Sequence, residues 1–110
     1  MLFRSQNEMP YDPPNQAAWM NGTSDGYAAY EVGPNVTTHQ AYGLGSYCYF
    51  DVNTAVVADH AFEAPDVSGV QLHDLLTVSL GDVGTIEHVI NEIGAATPTN
   101  TTPSTVTSYP

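Results

Sequence analysis

The chain has 110 residues, 12 acidic side chains and a single Lys or Arg, Arg4, for a formal net charge of −11 at pH 7. A nucleic-acid backbone or an anionic membrane surface would repel it, and no run of about 18 apolar residues exists to span a bilayer, so nucleic acid and membrane drop out as partners. Only 12% of the residues are charged, which leaves solubility to Asn, Thr, Ser and Gln, an extracellular style of surface.

From the N-terminus, MLFRSQNEMPYDPP lacks the apolar stretch and small-residue cleavage site of a secretory signal, so the secreted reading implies that the signal peptide is missing from this chain. Pro10, Pro13 and Pro14 fix φ and remove donors, predicting a loop from Met9 to Asn15. The Asn and Gly residues of Asn21 to Gly26 predict a tight turn in a hairpin or strand connection. Tyr27–Val32, Val36–Tyr42 and Leu44–Phe50 combine aromatic and β-branched residues between Gly and Pro, the pattern of short strands. Asp51–Glu63 suits a short helix or a buried strand equally. Val70–Leu80 mixes Leu72, Leu75, Leu76, Val78 and Leu80 with polar residues, and Thr85–Asn91 reads as a strand closed by Gly94, with a helix over His88–Ile93 as the alternative. Thr97–Pro110 is rich in Thr, Ser and Pro; it reads as a terminal tail or, through Thr105–Thr107, as an edge strand, set apart from a β segment over 1–96. No repeat of 20 to 50 residues is visible.

Candidate chemistry is sparse. His39, His60, His73 and His88, with Asp59 and Asp74, show none of the ligand spacings of metal sites, so they read as core or surface histidines, and no metal or other cofactor is expected. Gly43-Leu44-Gly45-Ser46 matches neither a nucleophile elbow nor a phosphate loop and reads as a turn. Cys48 is the only cysteine, a buried thiol or half of a bridge to a segment outside this chain. Asn21, Asn35 and Asn100 open N-x-[ST] sequons beside turn-forming residues, which favours a secreted glycoprotein. Glu8 stands near Tyr11, Trp19, Tyr27 and Tyr30 in sequence. A carboxyl among aromatic rings suits sugar chemistry, because apolar surroundings keep it protonated while rings cover the C–H face of a pyranose. Such neighbourhoods are also common in proteins that do no chemistry.

The strings Tyr27-Ala28-Ala29-Tyr30-Glu31-Val32, Val36 through Phe50, His73 through Gly81 and Gly84 through Asn91 resemble the C-terminal region of secreted, mainly fungal proteins. These are related to glycoside hydrolase family 55, the exo-β-1,3-glucanase-like double β-helix proteins, whose relatives often carry the labels coagulation factor 5/8 type or adenylyl cyclase. The resemblance covers nearly the whole chain. It implies an all-β fold, the end of a right-handed parallel β-helix of pectin-lyase type with long loops, as an incomplete domain. It implies inverting hydrolysis of β-1,3-glucan by the parent protein. Gln6-Asn7-Glu8-Met9-Pro10-Tyr11 resembles the family's Gln-x-Glu-x-Pro-Tyr element, which makes Glu8 the match for the general acid, with Gln6, Tyr11 and Trp19 near the sugar. Inversion also needs a group that holds water on the opposite face, about 6.5–9.5 Å away, and none can be assigned here. The expected partners are therefore β-glucan or another polysaccharide and the missing N-terminal part of the same protein, and the chain alone is expected to be inactive. The alternative is a non-catalytic secreted β module that binds wall glucan or completes a scaffold.

Overall fold

The computed structural model describes residues 5–9, 16–17, 20–21, 24–49, 56–80, 84–98 and 103–110. Among them every extended element is a strand and there is no helix element: β1 (Ser5–Met9), β2 (Met20–Asn21), β3 (Ser24–Asp25), β4 (Tyr30–Glu31), β5 (His39–Tyr42), β6 (Leu44–Tyr49), β7 (Val57–Glu63), β8 (Val70–Leu80), β9 (Thr85–Ile90), β10 (Thr97–Pro98) and β11 (Ser104–Tyr109). The all-β expectation is met. β2 and β3 form the antiparallel hairpin predicted around Asn21 to Gly26.

Two parallel sheets carry the architecture. In one, β1 pairs with β6, and β8 pairs with β5 along its first half and with β6 along its second. In the other, β4, β7 and β9 are parallel neighbours. The chain alternates between the sheets, so β1 and β4 make a first coil, β5 to β7 a second, and β8 and β9 a third. Such parallel crossovers are right-handed for steric reasons, and the result is a stack of β-helix coils. Residues in ladder register are on the order of 30 positions apart, the spacing of a solenoid repeat. That repeat escapes the sequence because the ladder conserves size and face, not identity: Tyr30, Phe62 and Ile90 share one rung, Ser46 and Thr77 another.

The space between the sheets is the core. Ala41, Leu44, Val70, Leu72 and Leu75 enter from one sheet and Ala58, Ala61, Phe62, Ile86, Val89 and Ile90 from the other. Strict alternation would give each strand one buried face, yet β8 changes phase midway: Val70 and Leu72 are buried, then Leu75, Thr77 and Ser79. The switch falls at Asp74, whose φ is +56°. At the same level of the preceding coil Gly43, with φ +71°, joins β5 to β6. Two left-handed residues stacked one above the other bend the sheet into a corner, which is the structural role of the Gly43 turn. Packing between coils is equally close at Gly69, where a Cβ would clash with the Thr37 carbonyl oxygen.

Both ambiguities left by the sequence resolve to strand. Of Asp51–Glu63, Val57–Glu63 forms β7 and residues 51–55 lie outside the described residues, while the helix alternative over His88–Ile93 is overturned. β9 runs to Ile90 and then turns at Asn91, whose φ is +50°, with the Ile93 amide donating to the Ile90 carbonyl at 2.8 Å. The last two strands reverse direction: β10 runs antiparallel to β9, and β11 antiparallel to β8. They cover the outer edges of the third coil. Residues 10–15, the proline loop, lie outside the described residues.

Candidate functional site

The backbone of β1 places Glu8 beside Tyr47 and Gln6 beside Gly45, while Tyr47 in turn sits beside Val78 of β8. Tyr47 and Val78 are half-buried positions, whereas Ser46 and Thr77, in the next row, are buried. Glu8 lies on the first coil, at the edge of the sheet away from β11. The side chains of Gln6, Glu8, Asn21 and Cys48 lie outside the described residues, as do Tyr11, Trp19 and Asn100 entirely. Asn35 is exposed in a turn that the Val36 amide closes by donating to the Gly33 carbonyl at 3.0 Å.

The histidines take separate roles. His39 Nε2 and the Tyr30 hydroxyl are hydrogen-bonded at 2.9 Å, and the His73 ring stacks on Tyr42 with centroids 4.8 Å apart. His60 and His88 occupy one rung of the β7–β9 ladder. There the sheet turns a second corner: Asp59 and His60 are consecutive half-exposed residues between buried Ala58 and Ala61, and exposed Glu87 and half-exposed His88 stand likewise between buried Ile86 and Val89. Two adjacent residues per strand thus face outward, and stacking coils brings four titratable side chains together. His60 Nδ1 stands 3.7 Å from Asp59 Oδ2, His60 Nε2 stands 3.7 Å from Glu63 Oε1, and His88 Nδ1 stands 3.8 Å from Asp59 Oδ1. The sequence reading missed this grouping because its members come from different coils; the doubled Asp-His and Glu-His pairs were the visible trace. Asp59, His60 and Glu63 also line an open hollow of about 410 Å³ with Asn91, Glu92 and Ile93.

Asn91 braces the same coil end. Its side-chain amide donates to the Ala64 carbonyl at 2.8 Å and to the Tyr109 hydroxyl at 2.7 Å, and its Oδ1 accepts from the Ala64 amide at 3.2 Å. On the first-coil side of β7, the Gln16 side chain acts as a strand residue would, accepting from the Val57 amide at 2.7 Å and donating to the Val57 carbonyl at 3.0 Å.

No model of a known protein family matches the chain. Over 106 residues, 96% of its length, it is 57% identical to an exo-beta-1,3-glucanase of Streptomyces sp. strain SirexAA-E / ActE. The solved structure of sacteLam55A from Streptomyces sp. SirexAA-E superimposes with a TM-score of 0.89 at 56% identity, covering 96% of this chain and 19% of that one. A variant of sacteLam55A in complex with glucose, in which a glutamate is replaced by alanine, gives the same TM-score at 55% identity. These relatives are bacterial, so the mainly fungal affiliation expected from the sequence has no support in them. The chain spans 18% of the glucanase it matches. In sequence and in fold it is thus similar, over nearly all of its own length, to about one fifth of a Streptomyces exo-β-1,3-glucanase.

Proposed function

We propose that this chain forms the last coils of a secreted β-1,3-glucan hydrolase, with Glu8 as the general acid. The observation that carries the reading is the 57% identity to an exo-beta-1,3-glucanase across 96% of the chain. The register adds to it, because the Glu8 backbone pairs beside Tyr47, on the sheet edge where an earlier coil would stack. The carboxyl protonates the glycosidic oxygen as the bond to the anomeric carbon breaks, while a water held on the opposite face attacks that carbon with inversion. The groups that hold this water belong to earlier coils, so the chain alone is inactive. Gln6, Tyr11 and Trp19 contact the sugar around Glu8. Asn21, Asn35 and Asn100 carry glycans, in keeping with an extracellular location, and Asn35 is exposed in its turn.

The test restores the upstream coils and follows laminarin hydrolysis. Glu8→Gln is expected to lower kcat at least ~100-fold, the usual worth of a general acid. Unchanged activity in that variant removes Glu8 from the mechanism. Binding of the isolated chain to insoluble β-glucan, abolished by Trp19→Ala and without any hydrolysis in the restored protein, would point instead to a non-catalytic glucan-binding module.

A further inference from the structure

We propose that the corner of the β4–β7–β9 sheet is a binding site for a first-row divalent cation such as zinc, held by Asp59, Glu87 and His88. One ligand atom from each of these residues lies within 4.8 Å of the other two. The three come from two neighbouring coils, and they converge because both strands change phase at the same level. A hydrogen bond between a ring nitrogen and a carboxylate closes to about 2.7–3.2 Å. His88 Nδ1 meets that limit with the Asp59 carbonyl oxygen at 3.2 Å and not with Asp59 Oδ1 at 3.8 Å, so its N–H is spent on the backbone and Nε2 is the nitrogen left to bind an ion.

Charge argues in the same direction. Around the corner stand Asp59, Glu63, Glu87 and Glu92, and the chain contains no lysine and only one arginine, Arg4, to balance them. Two carboxylates and one imidazole suit zinc and its neighbours better than calcium, which takes six or more oxygen ligands. Three protein ligands leave one tetrahedral position for water. The backbone supplies orientation: His88 Nδ1 lies 3.2 Å from the Asp59 carbonyl oxygen, a contact that fixes the ring as outer-shell partners of metal-bound histidines do. Occupied, the site would tie the second coil to the third from outside, where the core does not reach.

The experiment is zinc binding by the full chain, followed by calorimetry and, with cobalt as a spectroscopic substitute, by visible absorption. One equivalent of metal per chain is expected, and thermal unfolding should move to higher temperature when zinc is added. Glu87→Gln and His88→Gln each remove a ligand and should weaken binding by more than the ~10-fold that loss of an outer-shell partner costs. Glu87 is exposed, so its replacement leaves the packing intact and keeps the test decisive. His73→Gln, on the other sheet, should bind as the unaltered chain does. Binding below one equivalent, or unchanged binding in both Glu87→Gln and His88→Gln, overturns the proposal. So does binding lost in His60→Gln but retained in His88→Gln, which would place the ion between Asp59, His60 and Glu63.

Discussion

Single residues reveal where this interior departs from a plain hydrocarbon core. The hydroxyls of Ser46 and Thr77 are buried in one rung and have no hydrogen-bond partner among the described residues. A buried hydroxyl without a partner carries its desolvation cost uncompensated. Thr77→Val keeps the shape and removes the hydroxyl, so it is expected to raise unfolding free energy by about 1 kcal/mol in chemical denaturation. A loss of stability would show that the Thr77 hydroxyl does have a partner. The same scale limits what the sequence could reveal of the proposed catalytic site: Glu8 was recognisable from its Gln-x-Glu-x-Pro-Tyr setting, but its ladder neighbour Tyr47 lies a whole coil away in sequence.

Strands and corners follow from local chemistry more directly. Local pattern marked Leu44–Phe50 and Thr85–Asn91 as strands, and among the described residues they form as Leu44–Tyr49 and Thr85–Ile90. Alternation did not mark the phase changes, because a corner needs only one left-handed residue, and Asp74 carries no obvious signal in sequence. Gly43 at the matching level did carry one. Gly43→Ala should cost about 1–2 kcal/mol, since an added Cβ is strained at φ +71°. Asp74→Asn should change stability little, because Asn tolerates the left-handed region as Asp does. Thermal unfolding of both variants measures the contrast; equal losses would mean that Gly43 matters for packing and not for its φ.

At the scale of the molecule, parallel coils leave unpaired strand edges at the ends of the stack, and edges recruit other chains. Here β11 lies along β8 and β10 along β9, which closes the edges of the third coil. Tyr109, buried at the end of β11, meets Asn91 at 2.7 Å and fastens this closure to the turn after β9. Removing residues 103–110 should expose the edge of β8 and the side of Leu72, and the truncated chain is expected to self-associate. Light scattering after size-exclusion chromatography reads this out. A truncated chain that stays in the same oligomeric state as the full one would show that β11 does not protect that edge.

The sequence by itself determined the class of structure, because Gly, Pro and the two-residue period act within a few positions along the chain. It also determined the acidic character and, through one matched element, the candidate acid Glu8. Only the tertiary structure decided which residues are neighbours. In a parallel β-helix each ladder contact joins residues on the order of 30 apart, so the clustering of Asp59, His60, Glu87 and His88 depends on coil length and on corners at equal height. No local pattern encodes a distance of that kind.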